Sequence, residues 1–164
     1  MTSAVTKNQG EVFQPRGMYF EEFQVGVSVT SPGRTITETD VVGFAGLSGD
    51  YNELHTNAEF AATTGFGRRV AHGLLGLSVA SGLAGRLGFI EGTAIAFASL
   101  EWRFKAPVFI GDTIHMQARV EKTRAMKAIG GGMVIFRVSL VNQHQETVQE
   151  GIWRVLVKSR PAEA

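Results

Sequence analysis

Residues 72–89 read HGLLGLSVASGLAGRLGF, and after the opening histidine only Ser78, Ser81 and Arg86 interrupt an apolar run. A helix that is apolar nearly all round belongs in a core, so this stretch predicts one long buried helix. About seventeen residues at ~1.5 Å each give roughly 25 Å, enough to cross a small sheet. Gly76, Gly82 and Gly85 each cost about 1 kcal/mol relative to Ala inside a helix. Their retention suggests close approach of this helix to a sheet or to a second helix. The run approaches membrane-spanning length, but Arg86 within it, its two serines and the preceding Arg68 and Arg69 argue for a soluble helix.

Beyond Gly92 the hydrophobic period changes from helical to alternating. Strands are expected over 94–104, 113–122, 133–141 and 147–158. Ile114, Met116, Ala118 and Val120 alternate with His115, Gln117, Arg119 and Glu121, the mark of a half-buried antiparallel strand. Val134, Phe136, Val138 and Leu140 repeat the pattern. Gly111-Asp112, Gly130-Gly131-Gly132 and Asn142 to Gln145 read as the intervening turns.

Upstream of the long helix, Gly26 to Thr37 suggests short extended pieces around a Ser31-Pro32-Gly33 turn. Thr39 or Asp40 could cap a short helix through Val41 to Leu47. Ser48 to Asn52 reads as a loop, and Asn57 as the cap of a second short helix, Ala58 to Thr64. Helices grouped before a run of strands indicate an α+β domain with the long helix packed on one face of the sheet. One helix on one curled sheet leaves little core for 164 residues, so dimerisation is expected to cover more. Residues 1–17, with Gly10, Pro15 and Gly17, read as a flexible N-terminal arm before a single domain over 18–160.

Composition narrows the function classes. Hydrophobic residues make up 44% and charged residues 19% of the chain, as suits a folded domain. Sixteen Lys and Arg against fifteen Asp and Glu leave a formal charge of +1, which supplies no electrostatic footprint for nucleic acid. With no cysteine in the chain, disulfides, Cys-ligated zinc, iron–sulfur clusters and thiol nucleophiles are excluded. The first nineteen residues carry no apolar secretory core, and a cytoplasmic location is the expectation.

Of four histidines, His115 falls on the outward phase of a strand and His144 in a hairpin, so both read as surface residues. Asp50, Asn52 and His55 lie together in GDYNELH, and His72-Gly73 opens the long helix. A carboxylate and an imidazole beside one water can take a proton and return it elsewhere. Five residues apart, Asp50 and His55 converge only if the loop turns back; otherwise Asp50 makes an Asx-turn and His55 binds backbone. The first N–H groups of a helix lack intrahelical partners and carry partial positive charge, so Gly73 could polarise a carbonyl oxygen. The alternative at Gly73 is a plain helix start. Ser78 and Ser81 lack a nucleophile-elbow context. His55 and Glu59 are four apart without a further ligand, so no metal site is expected.

The segment FAGLSGDYNELHTNAEFAATTGFGRRVAHGLLGLSVASGL, Phe44 to Leu83, resembles the signature of the MaoC-like (R)-specific enoyl-CoA hydratases. FKAPVFIGDTI, Phe104 to Ile114, is similar to the same family's strand, proline and Gly-Asp turn, and the likeness covers about residues 20–158. It implies the hot-dog fold, an antiparallel sheet wrapped around a long central helix, in a homodimer or higher homo-oligomer whose sheets join and whose acyl tunnel lies near the interface. The implied catalytic pair is Asp50 and His55, and the glycine meeting the thioester carbonyl is Gly73. Asn52, His72 and Ser81 match supporting positions. One departure is Glu53, where the family has a loop-stiffening proline; a carboxylate there could act on His55 or on substrate.

The resemblance implies reversible hydration of a trans-2-enoyl thioester to an (R)-3-hydroxyacyl thioester, within fatty acid metabolism. It implies no metal or redox cofactor; coenzyme A or acyl carrier protein is the handle on the substrate. Which of Asp50 and His55 acts as base stays open, because coupled groups share macroscopic pKa values. Two alternatives remain: a hot-dog thioesterase, which would release thiol, and a non-catalytic acyl-binding subunit, whose usual mark would be loss of the aspartate or histidine.

Overall fold

The computed structural model describes residues 5–6, 12–13 and 16–162. Short strands β1 (Val5–Thr6), β2 (Val12–Phe13), β3 (Ser28–Thr30) and β4 (Arg34–Thr35) precede four helices, α1 (Glu38–Ser48), α2 (Glu53–Thr56), α3 (Ala58–Thr63) and α4 (Gly73–Leu87). Four long strands follow: β5 (Ala94–Phe104), β6 (Thr113–Met126), β7 (Gly131–Val141) and β8 (Thr147–Lys158). They pair antiparallel in the order β2-β1-β3-β6-β7-β8-β5, with β4 also on β6. Most of the expected 1–17 arm lies outside the described residues; of it, β1 pairs with β2 and with β3.

The long strands sit where their alternation puts them. Ile114, Met116, Ala118 and Val120 of β6 and Val134, Phe136, Val138 and Leu140 of β7 point into one core. Leu75, Val79, Ala80, Leu83 and Ala84 of α4 pack into the same cluster. Each such large side chain taken from water contributes about 1.5–3 kcal/mol. β6 runs past the expected end at Lys122 because a register shift between Val120 and Lys122 breaks the alternation while pairing continues to Met126.

Three expectations need correction. Thr37, not Thr39 or Asp40, caps α1, and Asp40 closes a capping box back to the Thr37 N–H at 2.8 Å. Gly131 and Gly132 belong to β7 and not to a turn. A Cβ on them would run into the Val157 carbonyl and the Phe20 ring, so close packing explains these glycines.

The third correction concerns α4, which is not buried all round within one chain. Leu74 is 58% exposed, and Ser78, Ser81, Gly82 and Gly85 lie on the same open side. Apart from its chain neighbours and the backbone of α4 itself, no atom among the described residues comes within 4 Å of a Cβ built on Gly82 or Gly85. Among the described residues, the close approach expected of these two glycines therefore has no partner. No helix among the described residues is long and apolar enough to cross a membrane.

Candidate active site

The loop after α1 is shaped by short polar bonds. Gly49 ends the helix in the left-handed region, with φ 76°, which glycine adopts without a Cβ clash. The Asn52 N–H donates to Asp50 Oδ1 at 3.2 Å, and the Leu54 N–H donates to Asn52 Oδ1 at 3.0 Å. Asn52 thereby caps α2, a single helical turn. Glu53 occupies the first position of α2, where proline is favoured because that N–H is unused. Its carboxylate accepts from Asn57 Nδ2 at 2.8 Å and also complements the helix dipole. Side-chain bonds thus brace this loop.

One turn of α2 carries His55 round to the start of α4. Its Nδ1 lies 2.7 Å from the Val70 carbonyl oxygen. A carbonyl can only accept, so Nδ1 bears the hydrogen, and in the neutral ring Nε2 bears the lone pair. His72, 3% exposed, is committed the other way: its Nε2–H donates to the Asp50 carbonyl at 2.9 Å. The two imidazoles stack with ring centroids 3.8 Å apart, and Phe44 backs His72 at 5.0 Å. His72 Nδ1 is left buried without a partner among the described residues.

Asp50, His55 and His72 each offer a side-chain atom within 4.8 Å of the other two. The expected convergence of Asp50 on His55 is therefore present, and so are the Asx-turn and the backbone-bound histidine weighed against it. Those bonds use Asp50 Oδ1 and His55 Nδ1, and among the described residues leave Oδ2 and Nε2 to a ligand. One nitrogen of each ring is committed to a carbonyl and His72 Nδ1 is enclosed, leaving two accessible donors against the three that catalytic zinc sites use.

Gly73 and Leu74 form the first turn of α4. Its N-cap, His72, makes no side-chain cap bond, and among the described residues neither the Gly73 nor the Leu74 N–H meets an acceptor. A Cβ on Gly73 would stand 2.8 Å from the Phe104 ring. His55, Gly73 and Leu74 open on a cavity of about 460 Å³ whose walls include Phe66, Phe104 and Val108. Lys105 stands at this cavity, paired with Glu150 at 3.3 Å.

Ser81 is not brought to this group. It lies on the open side of α4, roughly 12 Å along the axis from Gly73 at 1.5 Å per residue. His144 is exposed as expected, whereas His115 is half-buried, and burial lowers its pKa. Sequence reasoning missed Gln149, which is 3% exposed and lines the cavity. Its signal was a polar residue on the inward phase of a strand, shared with Gly151 and Trp153, where an amide needs partners.

A family model described as "MaoC like domain" matches residues 22–141. A 3-hydroxybutyryl-CoA dehydratase of Methylorubrum extorquens is 38% identical over 64% of this chain and 65% of its own length. An (R)-specific enoyl-CoA hydratase of Rhodospirillum rubrum is 42% identical over 58% of this chain and 65% of its own. The chain thus spans just under two thirds of these relatives' lengths. Among solved structures, a monoamine oxidase regulatory protein of Archaeoglobus superposes with a TM-score of 0.83 at 36% identity, covering 89% of this chain and 97% of that one. The architecture, a long helix held by an antiparallel sheet, is the hot-dog fold of such neighbours.

Proposed function

Since the chain belongs to the MaoC-like domain family, we propose that it reversibly hydrates a trans-2-enoyl thioester to an (R)-3-hydroxyacyl thioester, with coenzyme A or acyl carrier protein as the thiol carrier. One observation carries the reading. His55 and Gly73 face a single apolar cavity, and each keeps an atom suited to the reaction, the His55 Nε2 lone pair and the open Gly73 N–H. The two named relatives, a dehydratase and a hydratase, support the same chemistry in its two directions.

Conjugation with the thioester carbonyl makes the β-carbon of the enoyl group electrophilic. The Gly73 N–H, at the positive end of α4, stabilises the oxygen as enolate charge develops. Asp50 and His55 hold one water between them. As its oxygen bonds to the β-carbon, the pair takes a proton from the water. The pair returns that proton to the α-carbon, so the side chains end the turnover in the state in which they began it. Dehydration is the same path reversed. No step calls on a metal or redox cofactor.

A second copy of the chain completes the assembly along β5. That strand is the sheet's edge, and it exposes Ile95, Phe97, Leu100 and Phe104. A long apolar edge left unpaired invites association.

Crotonyl-CoA tests the activity by loss of its enoyl-thioester absorbance, with a thiol reagent in a parallel cuvette. Absorbance is expected to fall without thiol release. Asp50→Asn and His55→Ala are each expected to lower kcat by roughly 10²–10⁴ with unchanged circular dichroism. Thiol release by the wild type would replace this reading with a thioesterase.

A further inference from the structure

Gln149 sits between two groups that fix which way its amide points. The indole Nε1–H of Trp102 donates to Gln149 Oε1 at 3.0 Å, and Gln149 Nε2–H donates to the Gly73 carbonyl at 3.1 Å. An indole can only donate and a carbonyl can only accept. Turning the amide over would set N–H against N–H and oxygen against oxygen, so a single orientation is allowed.

The surrounding residues are cut to fit this arrangement. Trp102 pairs across the strands with Gly151, and a Cβ on Gly151 would stand 2.6 Å from the indole. The bare glycine lets the ring lie along β8 toward Gln149. Gly76, one turn into α4, is bare for the same reason, since a Cβ there would collide with the Gln149 amide. Phe104, the cross-strand neighbour of Gln149, closes on Gly73. Two strands and two glycines thus converge on the first turn of one helix.

We propose that Gln149, held by Trp102, is a positioning residue that sets the direction of the open N–H groups at the start of α4. The Gly73 carbonyl and the Leu74 N–H share one rigid peptide plane, so pinning the oxygen fixes that N–H. The neighbouring Gly73 N–H hinges on the same Cα and is steadied with it. The bond to the carbonyl also draws charge from this peptide and strengthens its N–H as a donor. Without it the first turn keeps only one-sided support, and donors aimed at a developing oxyanion lose effect with small errors of direction. Trp102 lies on the edge strand β5, so the pair links the sheet's open edge to the site.

The inference rests on the hydratase reading, and the test separates the two. Kinetics on crotonyl-CoA compare wild type, Asp50→Asn, Gln149→Leu, Gln149→Glu, Trp102→Phe and the double variant Gln149→Leu/Trp102→Phe, with folding followed by circular dichroism. Gln149→Leu is expected to lower kcat about 10- to 100-fold with KM changed less than about threefold, because the donors act on the transition state. Trp102→Phe is expected to cost less, and the double variant no more than Gln149→Leu alone, as residues in one chain of bonds are not additive. In Gln149→Glu a protonated carboxyl can donate to the Gly73 carbonyl and a carboxylate repels it. The activity of this variant relative to wild type is therefore expected to rise as pH falls. A Gln149→Leu enzyme within twofold of wild-type kcat, or additive losses in the double variant, overturns the positioning role. Should Gln149→Leu fail to fold, a pH-independent ratio in Gln149→Glu overturns it instead. Wild type inactive on crotonyl-CoA and on a panel of bulkier and carboxylated enoyl thioesters, or matched by Asp50→Asn, removes the hydratase reading and this inference with it.

Discussion

The starts of α1 and α4 solve the same problem in opposite ways. Every helix begins with N–H groups that have no intrahelical acceptor. In α1 a side chain closes one of them: the Thr37 hydroxyl accepts from Asp40 N–H at 3.3 Å, while the Asp40 carboxylate accepts from the Thr37 N–H at 2.8 Å. In α4 the cap position holds His72, whose ring is turned to the Asp50 carbonyl and makes no cap bond. The start of α4 is braced from behind, by Phe104 and Gln149, and its donors face the cavity. A capped start stabilises a helix, whereas an uncapped one retains the partial positive charge that a reacting carbonyl oxygen can use.

Gly73→Ala attacks the open start, and its effect is expected to be the largest. The new Cβ meets the Phe104 ring at 2.8 Å, and the displaced donor is expected to cost kcat about 10²–10³. Steady-state kinetics on crotonyl-CoA check this, and a nearly wild-type kcat would mean that the open start is only a plain helix beginning. Gly82→Ala carries the comparison to the other end of α4. Where its site stays open to solvent, Ala is expected to stabilise by about 1 kcal/mol through helix propensity. A fall in Tm, measured over a range of protein concentrations, would instead report a partner seated on that face.

Thr37→Ala removes the cap of α1 and is expected to cost about 1 kcal/mol in denaturant unfolding, with kcat unaltered. The smallest effect is its pH dependence. Burial would raise the Asp40 pKa, but the Thr37 N–H and hydroxyl and the Arg34 guanidinium together hold it below the ordinary 3.8. A carboxyl lowered on folding stabilises fully above its unfolded pKa and loses that contribution as pH falls through the folded one. The stability difference between wild type and Asp40→Asn is therefore expected to be constant near neutrality and to shrink below about pH 4. A difference unchanged down to pH 2 would show that this carboxylate adds nothing to the cap.

Much of this was legible in the residues. The alternation of 113–120 and 134–140 predicted the inward faces of β6 and β7, because a strand's side-chain period is local. The limits of β5 and β8 agree with the expected spans. Asp50, His55 and Gly73 stood out as groups with chemistry in them, and the structure brings them around one end of α4. The sequence was less informative where packing decided. The glycines at 131 and 132 looked like turn residues, since composition does not distinguish a glycine needed for its φ from one needed for lack of a Cβ. The open side of α4 was hidden because an apolar run does not say which of its faces is covered within the same chain.

By itself, then, the sequence determined the order of helix and strands and the residue types available for chemistry, for these depend on period, turn chemistry and side-chain identity. Tertiary structure alone decided how those residues are committed. His55 Nδ1 finds the Val70 carbonyl fifteen positions away, His72 finds the Asp50 carbonyl across twenty-two, and Gln149 joins Trp102 to Gly73 across separations of 47 and 76. Three of these four bonds end on a backbone carbonyl, a group every residue carries. Which carbonyl points where is set by the packing of α4 on the sheet, and no local pattern of side chains encodes it.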